Sequence, residues 1–407
     1  MKEGEVIADL HIHGRYSRAT SKNLSVDSLV KYARIKGLNL LGTGDFTHPL
    51  WIKELKENLK EDGSGILRTK DNFPFLLTTE LSLAYTQEKG RRIHLLLFAK
   101  NFDVVGQITS FLLKKGRVDY DGRPIFGMSC IELMDNLVSI DKDIEVICAH
   151  AWTPYFGIFG SMSGFDSLKE AFQEHAKKIH AIETGMSSNP EMNWKLSELN
   201  DKTIVSFSDA HSFWPFRLWR EATIFEMKDL SYKNILGAIR NDSIKGTIET
   251  SPSYGKYHWD GHRGCNFSCP PEKAKELNDI CPLCKKKLTI GVEHRVNELA
   301  NQDSAARKNK KPFYTLLPLQ ELIALAKAST LASRKTWLVY NSIIEKFGNE
   351  FKVLLNAEKA ELIKFLPNDA LLVQQIMNNR IGNIKVKAGF DGQYGEAVLQ
   401  ENQKKLF

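Results

Sequence analysis

The stretch that decides the architecture is Asp9-Leu10-His11-Ile12-His13, at the end of an apolar run over 6–12. Side chains along a strand alternate with a period of two, so Asp9, His11 and His13 point to one face and Leu10 and Ile12 to the other. A carboxylate and two imidazoles on one strand face are costly to bury unless a cation or hydrogen bonds compensate them. The strand therefore reads as a wall of a metal site.

Working outward, further short runs rich in β-branched residues recur at 38–42, 75–79, 94–99, 145–149, 179–183, 203–207 and 222–225. Helical patterns lie between them, at 26–35 behind Ser25 as a cap and at 167–177. This is the α/β alternation of a parallel sheet or barrel. Polar metal-ligand types fall at the later strand ends: Asp45 in Gly-Thr-Gly-Asp, Glu80 in Thr-Thr-Glu, His150 in Cys-Ala-His, and Asp209 with His211 in Ser-Asp-Ala-His. His94 opens a strand instead. In a βα barrel the C-terminal strand ends meet around one mouth, so residues two hundred positions apart can share a site. Mixed imidazoles and carboxylates suit zinc, manganese or iron, and more than four candidates imply two or three ions. Such clusters hydrolyse phosphoesters, because one ion generates hydroxide while another stabilises the transition-state charge.

At 407 residues the chain has room for two or three domains. Its 42% hydrophobic and 26% charged residues exclude a disordered or fibrous protein. No apolar run reaches the roughly 18 residues that span a bilayer, and Met1-Lys2-Glu3 lacks a secretory pattern, so no membrane partner and a cytoplasmic, nucleoid-associated location are expected. The net charge of +7, from 56 basic and 49 acidic residues, leans only mildly toward a polyanion. Cys130 and Cys148 sit alone in apolar stretches, whereas Cys265-x3-Cys269 and Cys281-x2-Cys284 form two close thiol pairs. That spacing predicts a structural, tetrahedral zinc in a ribbon-like module.

Lys256, Tyr257, His258, Trp259, His262 and Arg263 precede the cysteines and Lys285, Lys286 and Lys287 follow them, a basic and aromatic mixture suited to phosphate contact and base stacking. Residues 301–312, with Arg307, Lys308, Lys310 and Lys311, read as a linker or exposed basic loop. Beyond it Leu319, Leu322, Ile323 and Ala326, then Trp337, Tyr340, Ile343, Ile344 and Phe347, recur at helical spacing. The expected division is a catalytic barrel over 1–250, a zinc module with basic linker over 251–312, and a small helical domain over 313–407.

Asp-Leu-His-Ile-His at 9–13, Gly-Thr-Gly-Asp at 42–45, Ala-His-Ala-Trp-Thr-Pro at 149–154, Glu-Thr-Gly-Met-Ser-Ser-Asn-Pro at 183–190 and Ser-Asp-Ala-His at 208–211 resemble the polymerase and histidinol phosphatase (PHP) family. Gly-Lys-Tyr-His-Trp-Asp-Gly-His-Arg at 255–263, the cysteine pairs and Leu-Thr-Ile-Gly-Val-Glu-His-Arg-Val at 288–296 narrow the resemblance to the endonuclease Q family. The resemblance implies a distorted seven-stranded (β/α) PHP barrel, a zinc-ribbon-like module and a helical C-terminal domain. It also implies a DNA repair endonuclease that nicks damaged double-stranded DNA 5′ of uracil, hypoxanthine, xanthine or an abasic site. By motif position His11, His13, Asp45, Glu80, His94, His150, Asp209 and His211 become the catalytic metal set, holding two or three divalent ions (Zn2+, Mn2+ or Mg2+). His48 lies near the acidic motif but not at a ligand position.

A deaminated base shows its Watson–Crick edge only when flipped out of the duplex. Ser187, Ser188 and Asn189 are the expected pocket wall, and Phe207 stands where the family usually has Asn, offering stacking without a hydrogen bond. Arg15 and Tyr16 are candidates to wedge the duplex or hold a phosphate, and Lys256 and Arg263 to bind DNA. A monomer is expected. A sliding-clamp contact at 400–407 is disfavoured by Gln403, which stands where an aliphatic residue belongs. The rival readings are a PHP-type phosphatase acting on a small monoester and a non-catalytic, zinc-dependent DNA-binding protein.

Overall fold

The computed structural model describes residues 4–216 and 220–398; the clamp-like tail at 400–407 lies outside the described residues. Ten strands form the path of the main sheet: β1 (Glu5–Asp9), β2 (Leu40–Gly42), β3 (Pro74–Gln87), β4 (Lys89–Ala99), β5 (Glu145–Cys148), β6 (Ala181–Glu183), β7 (Thr203–Val205), β8 (Ala222–Glu226), β9 (Gly246–Glu249) and β10 (Phe313–Thr315). Their spatial order is β7-β6-β5-β4-β3-β2-β1-β8-β9-β10, so the first seven lie side by side in chain order.

The sheet is mixed rather than parallel throughout. β1, β2 and β3 are parallel, as are β5, β6 and β7, but β4 runs antiparallel to both its neighbours and β8 antiparallel to β1 and β9. The exception follows from the β3–β4 connection, a tight turn at Glu88 (φ +61°), since a parallel pair would need a long crossover. This hairpin runs well past the apolar segments at 75–79 and 94–99, because its outer arms carry Ser82, Thr86, Arg91 and Arg92 and break the apolar pattern.

The sheet curls until the chain leaving β7 meets the chain leaving β1. Ile12 and Ala210 form a parallel bridge there, and the His13 N–H donates to the Ala210 carbonyl at 2.9 Å. One apolar cluster gathers Val6, Ala8, Leu10, Leu76, Phe98, Ile147 and Phe207 with Ile235 and Ile239 of the helix Tyr232–Arg240. A second contains Ile7 with Leu29 and Ala33 of the helix Val26–Lys36. That helix starts at Ser25, whose side chain accepts from the Ser28 N–H in a reciprocal capping box, and stops at Gly37, where φ of +103° suits a residue without Cβ.

The helices Leu319–Ala326, Arg334–Phe347, Lys359–Phe365 and Ala370–Arg380 follow β10. Buried Glu350 receives Lys36 Nζ at 2.7 Å, Tyr340 OH at 2.8 Å and the Leu319 N–H at 2.8 Å, and Arg220 reaches Glu321 at 2.7 Å. Residues 301–312 are no free tether: buried Arg307 donates to the carbonyls of Leu199 and Lys202 and pairs with Asp242, delivering the chain to β10 on the sheet edge. Among the described residues no helix is long and apolar enough to cross a membrane.

Candidate metal centre

β1 pairs only as far as Asp9, and His11 and His13 lie just beyond it, in the chain that closes the curl. His11 Nδ1 stands 2.8 Å from Glu183 Oε1; its Nε2 is buried without a hydrogen-bond partner, 3.6 Å from Glu80 Oε2 and 3.7 Å from Asp209 Oδ1. His13 Nδ1 is held at 2.9 Å by Asp45 Oδ1, while its Nε2 lies 2.9 Å from Asp209 Oδ1 and 3.2 Å from Glu80 Oε2. Glu80 is not at a strand end but in the middle of β3. It pairs across with Leu96, and Ser82 with His94, so Glu80 and His94 are diagonal neighbours on one face. Glu80 Oε1 accordingly lies 2.8 Å from His94 Nδ1 and 3.0 Å from His150 Nε2.

The ligand-type atoms form two groups, His11–His13–Glu80–Asp209 and Glu80–His94–His150, each with its atoms within 4.8 Å of one another and with Glu80 in both. Three residues of this neighbourhood bend through left-handed backbone: Asp45 (φ +46°), His150 (φ +30°) and Asp209 (φ +50°). Such conformations are costly for residues with a Cβ and persist where surrounding contacts impose them.

The electrostatics are those of a cation site. Burial disfavours the charged form of His11, yet the carboxylates of Glu183 and Glu80 hold its pKa well above the usual value; His13 is raised likewise, against burial, by Asp45, Asp209 and Glu80. Burial pushes Glu80 up, but His94, Arg123 and His11 pull it well below the carboxylate range. Burial lowers His94 to about 4 despite Glu80. A buried nitrogen with no proton partner, facing ionised carboxylates, fits a divalent ion, whose binding would displace the protons that His11 and His13 otherwise hold.

Of the expected ligands, Asp45 and His211 fall outside both groups. Asp45 orients His13 and accepts the Gly14 N–H at 2.6 Å and the Ser17 hydroxyl at 2.8 Å. His211 Nδ1 bonds to the Asp209 carbonyl at 2.9 Å, with its ring 4.4 Å from that of His13. Asp9 takes both the N–H and the hydroxyl of Ser208, and burial pushes it up to about 7. His48 stacks on Tyr16 at 4.6 Å. Two residues with no expected role belong to the centre: Glu183, in a motif noted for its sequence alone, and Arg123, for which no motif gave a signal.

The expected substrate residues are largely engaged internally. Ser187 and Ser188 hydroxyls donate to the Thr184 carbonyl, and Asn189 caps the short helix Pro190–Asn193. Phe207, expected to stack on a base, is fully buried with its ring 6.3 Å from that of Phe98. Arg15 pairs with Glu54 at 2.6 Å. Lys256 and Arg263 are exposed, with Lys256 Nζ 4.6 Å above the Tyr394 ring.

The thiol site also differs from the four-cysteine expectation. The atoms brought within 4.8 Å belong to His262, Cys265, Cys281 and Cys284, with His262 Nδ1 3.4 Å from Cys284 Sγ. Cys269 falls outside that group. In the hairpin of Asp260–His262 with Phe267–Cys269, His262 pairs with Phe267 near the turn that carries Cys265, whereas Cys269 pairs with Asp260 two residues further along. That offset is about 6.6 Å along a strand. Cys269 lies in the module's small core with Ala274, Leu288 and Cys281, and Cys265 and Cys284 pack against that core. Burial pushes Cys281 up, but the backbone amides of Cys284 and Leu283 bring it down to about 7, so a thiolate is readily available. Three sulfurs and an imidazole suit a closed zinc site. The missed signal was His262-x2-Cys265, which has the same spacing as Cys281-x2-Cys284.

Comparison with known proteins places this architecture. Residues 318–382 match the family model of the MJ0043 C-terminal domain. The chain is 30% identical over 290 residues to the uncharacterized protein MJ0043 of Methanocaldococcus jannaschii, covering 70% of this chain and 35% of that protein, so it spans about a third of that relative's length. It is 26% identical to the uncharacterized protein YqxK of Bacillus subtilis, over 96% of this chain and 99% of that one. The lesion-specific endonuclease PfuEndoQ from Pyrococcus furiosus superposes with a TM-score of 0.87 at 29% identity, over 98% of this chain and 97% of that chain. Endonuclease Q in complex with a 27-mer duplex carrying an abasic lesion at its active site gives 0.88 at 30% identity, over 98% of both chains. Sustained across nearly the full length of a solved relative, these likenesses mean that the chain belongs to the endonuclease Q family.

Proposed function

We propose that this protein is a DNA repair endonuclease that hydrolyses the phosphodiester 5′ of a deaminated base or an abasic site, on a nucleotide flipped out of the duplex. The observation that carries the reading is the pair of ligand groups sharing Glu80, with His11 Nε2 buried and unpartnered between two carboxylates. His11, His13, Glu80 and Asp209 would hold one divalent ion, and Glu80, His94 and His150 another, in a PHP-type barrel; Asp45 and Glu183 fix the rings from behind. Bound ions would supply hydroxide at neutral pH and stabilise the charge on the phosphorane. The chain itself orients the imidazoles, excludes water from their far side and presents Lys256 and Arg263 as exposed cations on the adjoining module.

That module, centred on a Zn2+ held by His262, Cys265, Cys281 and Cys284, and the helical region after 312 complete the proposed three-part organisation of a cytoplasmic, nucleoid-associated monomer. A cleavage panel tests the activity: duplexes with one uracil, hypoxanthine, xanthine or abasic site each, with Mn2+, Mg2+ or Zn2+, with and without chelator, beside Asp209→Ala. Metal-dependent nicking by the wild type and none by the variant is expected. No nicking of any lesion in any metal, or equal nicking by Asp209→Ala, defeats the proposal.

A further inference from the structure

Arg123 belongs to none of the motifs, yet its loop packs against Asp45 and Ser17 beside the ligand groups. Gly122 packs so closely that a Cβ there would collide with Asp45 Oδ2 and Ser17 Oγ. The Gly122 N–H donates to the Tyr16 carbonyl at 3.3 Å, and buried Asp121 accepts the N–H groups of both Arg18 and Arg123 at 3.2 Å. Just beyond, the Ser82 N–H donates to the Pro124 carbonyl at 3.1 Å, and Ile125–Phe126 pairs with Ser82 and Leu83 of β3. The loop is thus clamped between the chain leaving β1 and the middle of β3, which fixes where the Arg123 side chain emerges.

It emerges at Glu80. Arg123 Nη1 is 3.0 Å from Glu80 Oε2, the same oxygen that faces His13 Nε2 at 3.2 Å and His11 Nε2 at 3.6 Å. Among the described residues no other hydrogen bond engages the guanidinium of this 24% exposed side chain; a guanidinium has five N–H donors, so most of them are left without a protein acceptor beside the centre. A fixed positive charge next to a cation site weakens cation binding. Its placement is favourable when the site must also receive an anion, and a guanidinium matches two phosphate oxygens at once.

We propose that Arg123 is a catalytic residue that binds the non-bridging oxygens of the scissile phosphate above the two ligand groups. There it would hold the phosphate for attack and stabilise the charge that accumulates on those oxygens. The assignment rests on the phosphoester-hydrolase reading and adds to it a phosphate-binding side chain.

The test uses full-length Arg123→Gln, Arg123→Lys and wild type. Mn2+ binding and inorganic phosphate binding to the Mn2+-loaded proteins are measured by calorimetry, and kcat and KM for nicking an abasic duplex by gel assay. Arg123→Gln is expected to bind Mn2+ at least as tightly as the wild type, phosphate at least about 10-fold more weakly, and to lose on the order of 10²-fold in kcat. Arg123→Lys should recover only part of each, because an ammonium cannot form the fork, and added guanidinium should raise the rate of Arg123→Gln. Equal phosphate affinity in wild type and Arg123→Gln, no phosphate binding by the wild type, or loss of Mn2+ binding in Arg123→Gln would each overturn the assignment. The calorimetric arm needs no DNA, so a wild type that nicks no lesion sinks the nuclease reading while the phosphate result still decides Arg123.

Discussion

Replacing Glu183 by Gln isolates the orientation of the metal ligands from the ligands themselves. Glu183 is fully buried; its Oε1 and Oε2 lie 2.8 and 3.1 Å from His11 Nδ1, and Oε2 also accepts the His150 backbone N–H at 2.6 Å. The carboxylate therefore does two things: it anchors His11 through Nδ1, so that Nε2 faces Glu80 and Asp209, and it ties down the left-handed turn at His150. Glutamine keeps one oxygen. In either flip its NH2 confronts an N–H, so one charge-assisted hydrogen bond is lost and a buried donor is stranded, a cost of about 1.5–3 kcal/mol. Losing the outer partner of a metal-binding histidine typically weakens metal binding about 10–100-fold, or about 1.4–2.8 kcal/mol, in agreement with that figure. Glu183→Gln should therefore bind Mn2+ 10–100-fold more weakly in a calorimetric titration, with Glu183→Asp in between and the zinc content of the cysteine module unchanged as a control for folding. A Glu183→Gln titration that superimposes on the wild type's would refute the argument.

Other buried groups give three more expected outcomes. Cys269→Ala should keep the wild-type zinc content and His262→Ala should lose one zinc per chain relative to it, measured by elemental analysis of the purified proteins; the reverse pattern would restore the four-cysteine site. Phe207→Ala should cost about 3–5 kcal/mol in thermal or denaturant unfolding while leaving the order of preferred lesions unchanged, because a fully buried ring acts through packing; altered lesion preference at undiminished stability would return it to the substrate pocket. Burial raises Glu221 to about 8, so between about pH 4.5 and 8 the folded state holds a proton that the unfolded state releases. Stability should then fall as pH rises through that window, and Glu221→Gln, a neutral mimic, should melt higher than the wild type at pH 8.5 and converge with it toward pH 5. Parallel melting profiles would contradict this.

The sequence disclosed the centre better than the sheet. Asp9, His11 and His13 stand out because buried polar residues at strand spacing need compensation, and the convergence of His94, His150 and Asp209 on them follows from strand order alone. The β3–β4 hairpin was hidden because its outer arms are polar, which moved Glu80 and His94 from expected strand ends to mid-strand. Asp45 and Glu183 have the chemistry of ligands, and only geometry shows them gripping the imidazoles from the side away from the ion sites. His262 was overshadowed by a fourth cysteine at plausible spacing, and the strand register places Cys269 opposite Asp260, two residues along from His262. Arg123 could not be found from its neighbours in sequence, since what distinguishes it is the packing of Gly122 against Asp45.

The sharing of Glu80 has a thermodynamic consequence. One oxygen faces His11 and His13 and the other faces His94 and His150, so an ion captured on either side restrains the same side chain for its counterpart. Affinities on the two sides are then linked, each altering the other by an identical factor. Loading should depart from two independent hyperbolas, and a chelator that strips the weaker ion should change the hold on the stronger one.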